Sequence, residues 1–469
     1  MKYMESLWRK ETGEIRAGGG AADAEMGEAG EDRGHVSAVE AEETGSSHRH
    51  VIVIGAGMAG ILIAYYLKEQ GIDVLVLEAN EIASGQTERT TAKITSQHGL
   101  KYDKLIRTVG MKKAKLYAEA NEAAIREYER LIRDQGIDCQ FERLPAYLYS
   151  WQEKEALIKE AEAAVSLGID AFFIGDVDLP FPVEGAVCFR NQAQFSPLAF
   201  LRHICAALEV WEHTKVIAVK GNKVITQDRV LTADKIVVAT HYPLRNVPGF
   251  YFLRQHQERS YALALSGCEK IKGMYYGVDK GGLSLRQAGD YVLLGGSGCR
   301  TGENTCGGAF EALEQAARQY FPKSNIELRW AAQDCMTHDG IPFIGRYSVF
   351  TPDLYVVTGF QKWGMTSSMI AAMMIRDELC GIKSPYEKLF RPQRMNLRAG
   401  IGNLFHDIGM SVKGLTKGLF RRPRCPHMGC ELVWNPDERS WDCPCHGSRF
   451  DQDGKLLDNP AKKDIEEKR

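Results

Sequence analysis

The chain lacks the features that mark two large classes of protein. Its 59 Lys and Arg residues nearly balance 61 Asp and Glu residues, and the formal net charge of −2 gives no basic excess for binding nucleic acid. It also lacks a long uninterrupted apolar run, because the best candidate, residues 51–67, holds three glycines and is too short for a comfortable membrane span. We therefore predict no nucleic-acid partner and no transmembrane segment. The length of 469 residues allows two or three domains with sizeable cores.

The first 47 residues have almost no apolar periodicity. They are rich in Gly, Ala and Glu, and such a segment cannot bury enough surface to offset the entropy of ordering. We predict a disordered extension over residues 1–47. The one local exception is the stretch at 6–9, Ser-Leu-Trp-Arg, which could dock on the body of the protein.

The twelve cysteines are unevenly distributed. Four crowd into two loops near the C-terminus, and others, such as Cys139, Cys188, Cys205 and Cys380, lie in apolar surroundings. Scattered cysteines of this kind are typical of buried free thiols in a reducing compartment. We therefore expect a cytoplasmic protein.

The two C-terminal loops read CPHMGC at 425–430 and CPCHGS at 443–448. Each loop pairs one Cys with one His at close range and carries a further Cys. This stoichiometry suits a two-iron cluster in which thiolates hold one iron and imidazoles hold the other, with a reduction potential of roughly −150 to +300 mV. A tetrahedral zinc site is the alternative, although zinc motifs favour C-x-x-C and H-x-x-x-H pairs and would leave two cysteines without a role.

These loops resemble the Rieske family pattern C-x-H-x-G-C…C-P-C-H-G-S. The resemblance implies four cluster ligands and a disulfide between the loops: Cys425, His427, Cys443 and His446 as ligands, Cys430 and Cys445 as the disulfide. Rieske domains usually have several strands before the first ligand loop, but few residues precede it here. We predict a trimmed module at 421–469, with a hairpin around residues 453–454, after a linker at 395–420.

A glycine motif near residue 50 predicts a dinucleotide site. A buried strand at 51–54 leads into Gly55, which allows a tight turn, Gly57, which lets backbone approach a pyrophosphate, Met58, and Gly60, which lets the helix pack on the strand. The helix N-terminus attracts the phosphates. Glu78 ends the next strand, where a carboxylate accepts hydrogen bonds from a ribose. The motif alone leaves NAD and FAD open.

Flanking stretches resemble the D-amino-acid oxidase superfamily of FAD-dependent oxidoreductases. They lie at 83–87, 233–240, 339–345 and 354–360, and the resemblance covers about residues 50–379. It implies an α/β fold in which a Rossmann-type FAD domain (about 48–145, 215–250 and 330–394) is interleaved with an antiparallel-sheet substrate domain (about 146–214 and 251–329). The small all-β Rieske-like module follows. Because Cys335 is misplaced for a covalent link, we expect non-covalent FAD.

The same resemblance implies which residues lie beside the flavin. They are Thr91, Ala239, and the start of a helix at Gly364, Met365 and Thr366 that is aimed at the pyrimidine edge of the ring. A helix N-terminus there would stabilise negative charge on the reduced ring. The alternative is that this helix only packs the core.

Candidate substrate residues are few. Asp334 stands where the amino-acid oxidases commonly carry an Arg, which favours an amine without a free carboxylate, although Asp334 could instead cap a turn or pair with Arg329. Arg286 could bind an anionic group or cap the sheet. His98, or Lys93, could contact the flavin or the substrate.

A flavin collects two electrons at once and a two-iron cluster carries one. We predict an FAD-dependent dehydrogenase that oxidises an amine-like small molecule at a C–N bond and passes electrons singly through the cluster to an external acceptor, protein or quinone-like. The alternatives are a redox sensor or electron-transfer adaptor that docks partners through exposed His427 and His446, and a pyridine-nucleotide enzyme.

Overall fold

The computed structural model describes residues 5–18, 48–394, 396, 409, 414–416 and 423–465. The predicted linker at 395–420 therefore lies almost wholly outside the described residues. Within the described ranges, no helix has both the length and the apolar character that crossing a bilayer requires.

The helices and strands follow in chain order. The helices are α1 (Leu7–Thr12), α2 (Met58–Lys68), α3 (Tyr102–Val109), α4 (Met111–Gln135), α5 (Lys154–Ser166), α6 (Pro197–Cys205), α7 (Ala309–Tyr320), α8 (Gly364–Leu379) and α9 (Glu387–Phe390), with a 3-10 turn at Tyr251–Leu253. The strands are β1 (His48–Ile54), β2 (Val74–Leu77), β3 (Lys93–Ile94), β4 (Glu142–Ser150), β5 (Ala171–Ile174), β6 (Gly185–Gln194), β7 (Glu209–Trp211), β8 (Ala218–Lys220), β9 (Lys223–Ile225), β10 (Val230–Val238), β11 (Gln255–Ser266), β12 (Met274–Gly277), β13 (Ser284–Ala288), β14 (Tyr291–Arg300), β15 (Asn325–Thr337), β16 (Phe343–Ser348), β17 (Thr351–Thr358), β18 (Val433–Asn435), β19 (Ser440–Asp442), β20 (Arg449–Phe450) and β21 (Leu456–Asp458).

The first sheet has the order β16-β17-β10-β1-β2-β7, with β8 and β9 continuing from β10. Its central strands run parallel, and the end of β1 is apolar and buried on both faces, as a strand covered by helices must be. Helices α2 and α8 pack together beside this sheet. The predicted Rossmann-type domain is confirmed.

The second sheet has the order β15-β11-β14-β13-β12-β4-β6-β3, with β5 beside β6. Nearly all its pairs are antiparallel, as predicted for the substrate domain. The predicted boundaries need correction: β7 belongs to the first sheet, whereas β3, the start of β4 and the end of β15 belong to the second. These boundaries depend on which distant strands pair with one another, and a local sequence pattern does not show this pairing.

The C-terminal module is a four-stranded antiparallel sheet, β18-β19-β20-β21. Strands β20 and β21 form the predicted hairpin around residues 453–454. A small buried cluster of cysteines with Leu432, Phe450 and Ala461 forms its core.

The N-terminal helix α1 docks on the body, as the exception at residues 6–9 suggested. Leu7 and Trp8 are fully buried, the Trp8 indole Nε1 donates to the Thr90 carbonyl at 2.7 Å, and Arg9 pairs with Glu88 at 2.8 Å. The prediction of disorder is thus wrong for residues 5–18, because one buried indole and an ion pair anchor a segment that has no periodic pattern. Residues 1–4 and 19–47 lie outside the described residues.

Candidate functional site

A cavity of about 380 Å³ lies where three parallel strands of the first sheet end. Gly55, Glu78 and Ala239 directly follow β1, β2 and β10, and all three line it, together with Gly57 and Met58. A ligand crevice at the carboxyl ends of parallel strands is typical of doubly wound sheets. The predicted nucleotide residues thus come together around one space.

The glycine turn is closed to side chains. Gly55 has a φ of 105°, and a Cβ on Gly60 would lie 1.9 Å from the Gly55 carbonyl oxygen, so helix α2 can pack on the turn only without one. The Glu78 carboxylate accepts from the Ala56 amide at 2.7 Å and the Asn80 amide at 2.9 Å, while burial raises its pKa. These contacts hold the carboxylate at the cavity wall, where a dinucleotide ribose fits.

A smaller cavity of about 150 Å³ adjoins the larger one. Six residues line both: Thr90, Ala332, Asp334, Lys362, Gly364 and Met365. Helix α8 begins at Gly364, so its N-terminus faces this junction as predicted for the flavin. A dinucleotide in the larger cavity would bring its reactive ring to the smaller one.

Two predicted flavin contacts need comment. Thr91 lines the smaller cavity rather than the larger. Thr366 lines neither: its hydroxyl lies 3.4 Å from the Thr95 carbonyl oxygen and 3.4 Å from His98 Nε2. The prediction for the Thr366 side chain is therefore corrected. Thr366 follows Met365 on helix α8, and the rotation of about 100° per residue directs its side chain towards the core.

Asp334 stands at the junction of the cavities in a polar group that sequence reasoning missed. Ser260 Oγ donates to Asp334 Oδ2 at 3.1 Å, and Lys362 Nζ lies 3.5 Å from Ser260 Oγ and 3.2 Å from Glu258 Oε2. Arg329, the alternative partner of Asp334, approaches Glu314 at 3.5 Å instead. One signal could have identified Lys362, since it stands two residues before the helix expected to face the flavin.

Burial raises the pKa of Asp334 to about 6, although Lys362 opposes this. Burial also acts to raise the pKa of Glu258, but the hydrogen bond from His256 and the Lys362 charge lower it to about 2. Both carboxylates are thus mainly ionised at neutral pH. Lys362 contacts this group directly, and the charges of His256 and Arg259 also stabilise the ionised carboxylates.

The prediction that Arg286 binds substrate is wrong. Its side chain is almost fully buried, lines neither cavity, and donates to the carbonyl oxygens of Thr91 at 2.9 Å, Ala92 at 2.7 Å and Gln287 at 2.9 Å. The Trp8 ring covers the guanidinium at 5.1 Å. Arg286 therefore ties chain segments together behind the cavity.

His98 is also misassigned as a catalytic candidate. Its Nδ1 lies 2.7 Å from the Tyr117 hydroxyl and its Nε2 lies 2.8 Å from the Thr95 carbonyl oxygen, so both nitrogens are engaged. The ring stacks on Trp363 at 4.6 Å and lines neither cavity. Burial lowers its pKa, which keeps His98 neutral as a packing residue behind helix α8.

Cys335 is unsuited to a covalent flavin link. It lines neither cavity, and burial raises the pKa of its thiol to about 12. A buried, protonated thiol is unreactive. This agrees with the prediction of non-covalent FAD.

The two C-terminal loops bring the predicted cluster ligands together. Cys425 and Cys443 are fully buried, and the rings of His427 and His446 lie 4.9 Å apart. His427 Nδ1 is buried and makes no hydrogen bond within the described residues, while its Nε2 lies 2.9 Å from Asn246 Oδ1. Nδ1 is therefore the ring nitrogen that is available to a metal. Buried sulfur and imidazole donors in one small module fit a two-iron, two-sulfur cluster.

The sulfurs of Cys430, Cys443 and Cys445 lie within 4.8 Å of one another. Within the described residues, no disulfide joins Cys430 to Cys445. The disulfide between these two residues stays a prediction.

The side of the C-terminal module that carries His427 and His446 faces the body of the protein formed by the first two sheets. His446 is only 2% exposed and contacts Phe252 at 5.8 Å between ring centroids, and His427 faces Asn246. One alternative takes both histidines as exposed for docking a partner. His446 is instead buried against the body, whereas His427 is half-buried.

Strands β11 and β15 form a wall between the smaller cavity and the cluster loops. Gln257 Nε2 donates to the His446 carbonyl at 2.8 Å, and Gln333 Nε2 donates to the Gly447 carbonyl at 2.9 Å. Their neighbours along the strands, Glu258 and Asp334, belong to the polar group on the cavity side. Because successive side chains of a strand point to opposite faces, one pair of strands touches both sites.

The same wall carries a buried ion pair. Arg259 Nε donates to Glu438 Oε1 at 2.9 Å, and both side chains are at most 3% exposed. Glu438 also contacts Arg449 of the module at 2.7 Å. The pair joins the body to the module without solvent.

The end of the module also closes the larger cavity. Residues 456–459, 461 and 462 line it. Asn459 Nδ2 donates to the Thr240 carbonyl at 2.8 Å, and Gln86 Nε2 donates to Asp458 Oδ1 at 3.2 Å. The module is therefore part of the predicted FAD site. Sequence reasoning missed this contact, because no local signal connects residues so far apart.

Comparison with known proteins agrees with both halves. A family model described as FAD dependent oxidoreductase matches residues 50–378, and one described as Rieske [2Fe-2S] domain matches residues 420–468. The putative Rieske 2Fe-2S iron-sulfur protein YhfW of Bacillus subtilis (strain 168) is 34% identical over 471 residues, covering 89% of this chain and 92% of that protein.

Solved structures share the fold of the body. A glycine oxidase from Geobacillus kaustophilus is 15% identical with a TM-score of 0.64, covering 75% of this chain and all of that one. An L-proline dehydrogenase from P. horikoshii is 18% identical with a TM-score of 0.62, covering 74% and 98%. At these identities the likeness shows the fold alone.

Proposed function

Because the chain belongs to the FAD-dependent oxidoreductase family and ends in a Rieske [2Fe-2S] domain, we propose that it oxidises a small amine at a C–N bond and passes the electrons singly to an external acceptor. The family assignment leaves the NAD and zinc alternatives without support. When bound, FAD takes a hydride from substrate and the cluster carries one electron at a time.

The residues that would hold the two groups follow from the cavities and loops. Glycine-turn and strand-end residues would hold FAD, with the start of helix α8 at its ring, and buried thiolates and imidazoles would hold the cluster. The FAD set is Gly55, Gly57, Met58, Glu78, Ala239, Gly364 and Met365, and the cluster set is Cys425, His427, Cys443 and His446.

The observation that carries the proposal is the wall formed by β11 and β15. Gln333 touches the Gly447 carbonyl on one face, and the next residue, Asp334, lines the junction of the two cavities. A cluster module docked directly behind the reaction site supports electron exit by a protein route.

The chemistry of the smaller cavity favours a cationic substrate. Asp334 places a carboxylate in the wall of this cavity, where it attracts an ammonium group and repels a carboxylate. Aromatic side chains surround the same space, and their faces attract cations when water is excluded. They are Tyr261, Tyr276, Trp330 and Trp363.

Matched pairs of amines test the substrate class. Anaerobic holoprotein is mixed with methylamine or glycine, and with pyrrolidine or L-proline; the members of each pair differ by one carboxylate. Flavin absorbance and the paramagnetic signal of the reduced cluster are followed. We expect the carboxylate-free member to bleach the flavin faster and the cluster signal to follow. Faster reaction of the amino acids, or no bleaching by any amine, contradicts the proposal.

Asp334→Asn tests the binding charge. Loss of a charge-assisted hydrogen bond of about 1.5–3 kcal/mol predicts that kcat/KM for the amine falls roughly 10- to 100-fold. Asp353→Asn, at an exposed ion pair with Lys235, is the matched control and should keep full activity. An Asp334→Asn protein with unchanged kcat/KM would remove Asp334 from substrate binding.

A further inference from the structure

We propose that Lys93 is a catalytic residue whose Nζ accepts the proton that the substrate ammonium must lose before its C–N bond is oxidised. The inference rests on the proposed function, since it needs an amine substrate. An ammonium nitrogen has no lone pair to stabilise the iminium that forms when hydride leaves the neighbouring carbon. A proton acceptor beside the substrate nitrogen is therefore required.

The position of Lys93 fits this role. It stands on β3 at the edge of the second sheet and lines the smaller cavity together with Asp334 and Trp363. The residue is 9% exposed, and its Nζ lies 2.7 Å from the Tyr275 carbonyl oxygen and 2.7 Å from Ser284 Oγ. Within the described ranges, no carboxylate forms an ion pair with it.

These two acceptors match the neutral amine. A charged lysine has three N–H donors, whereas a neutral one has two and a lone pair. With two N–H groups directed at Tyr275 and Ser284, the lone pair of Lys93 is left for the cavity. His98 cannot compete as a base, because both its nitrogens are engaged.

The surroundings give Lys93 a large neutral fraction at neutral pH. Burial lowers its pKa to about 7, and the positive charge of Arg286 on β13 acts in the same direction. Asp334 stands in the same cavity, but it is held by Ser260 rather than by Lys93. The other charged or titratable side chains that face this space are Arg89, Tyr261, Tyr276 and Lys362.

The proton transfer balances without any other reactant. The substrate N–H bond breaks and an N–H bond forms at Lys93 Nζ, so R–NH3⁺ and a neutral lysine become R–NH2 and a lysine ammonium. No electrons are exchanged in this step. The positive charge moves from one nitrogen to another within the same cavity, so the buried charge stays constant while Asp334 remains beside it.

Rates of anaerobic flavin reduction test the proposal. Wild-type, Lys93→Met and Lys101→Met holoproteins are mixed with methylamine and with pyrrolidine from pH 6 to 10. We expect Lys93→Met to be about 100-fold slower or more at pH 7, with the loss shrinking towards pH 10, where the free amine supplies its own lone pair. Lys101, a half-buried lysine that lines neither cavity, is the control and should keep the wild-type profile.

The outcomes separate the two hypotheses. If neither amine bleaches wild-type flavin, the proposed function fails and the role of Lys93 fails with it. If wild type is bleached and Lys93→Met is equally fast at pH 7, or is slowed equally at every pH, only the role of Lys93 is overturned. A loss that is independent of pH would indicate a structural part for the side chain.

A second measurement needs neither turnover nor a variant. Trace acetylation of wild-type holoprotein with acetic anhydride, read at each lysine by mass spectrometry, reports the free-amine fraction against pH. We expect half-maximal reactivity of Lys93 near pH 7, about three pH units below the value for a lysine in a model peptide. Reactivity of Lys93 that rises only above about pH 9, or is absent throughout, overturns the proposal.

Discussion

Replacing Lys93 by methionine is expected to stabilise the holoprotein near neutral pH while it slows catalysis. Among the residues that the structure describes, no carboxylate pairs with the buried wild-type side chain. The folded state therefore favours the neutral amine, whereas water favours the ammonium. Methionine has a similar length and no charge. Stability and activity should therefore change in opposite directions, as is common at functional sites.

The magnitude follows from proton binding. A lysine in an unfolded chain has a pKa of about 10.4, and burial lowers that of Lys93 to about 7. Between these values the unfolded chain binds the extra proton, so wild-type stability rises with pH through this window and the cost at pH 7 is about 4 kcal/mol. Losing the two hydrogen bonds of Lys93 offsets about 2 kcal/mol. The variant should be more stable by about 2 kcal/mol at pH 7, should lose this advantage near about pH 9, and should be less stable than wild type by about 2 kcal/mol above about pH 10.4.

Differential scanning calorimetry of FAD- and cluster-loaded proteins at pH 7, 8.5 and 10 measures this difference. About 2 kcal/mol corresponds to a rise in Tm of roughly 3 °C for a domain of this size. Lys104→Met, which removes an exposed lysine, should leave Tm unchanged. A lower Tm for Lys93→Met at pH 7, or a difference that does not shrink with rising pH, would refute the reasoning.

Three further substitutions probe the contacts around the two sites. Arg259→Met removes one of the cations that neutralise Glu438 and should weaken docking of the C-terminal module on the body by about 3 kcal/mol. Ultrafiltration should then remove more FAD from this variant than from the control Arg107→Met, at an exposed arginine. Equal FAD retention by the two variants contradicts this prediction. Asn246→Leu removes the hydrogen-bond acceptor at His427 Nε2. Loss of about 1 kcal/mol, which equals about 40 mV for one electron, should raise the reduction potential of the cluster, as measured by a redox titration with paramagnetic-resonance detection. An unchanged potential disproves the contact. Trp8→Ala should lower Tm by several degrees, since a buried indole contributes about 3–5 kcal/mol; an unchanged Tm means that α1 does not dock.

The sequence predicted those features that consecutive residues determine. The glycine turn before α2 and Glu78 after β2 are each fixed within one strand–turn–helix unit, so their spacing alone placed them at one cavity. The cluster loops are equally local, because each mixed Cys and His pair spans only a few residues. The start of helix α8 at Gly364, in contrast, was implied by the family resemblance.

The substrate residues could not be assigned in the same way. Arg286 donates hydrogen bonds to the carbonyl oxygens of Thr91 and Ala92, which lie almost two hundred residues earlier in the chain. Lys362 joins the polar group at the cavity junction through its contacts with Glu258 and Ser260 on β11. In each case the pairing of distant strands decides whether a charged side chain is free for a substrate.

Strand β11 shows how such a site could be recognised. Its first half, residues 255–260, reads Gln-His-Gln-Glu-Arg-Ser, which as a sequence is typical of an exposed loop, yet alternate residues are fully buried. Gln257 and Arg259 meet the module on one face, while Glu258 and Ser260 meet the polar group of the cavity on the other. A polar strand inside a sheet conflicts with its local pattern, and such conflicts are expected where function overrides packing. Here both faces are polar because one faces the cavity and the other faces the cluster loops, so the strand that interrupts the apolar core contacts both sites.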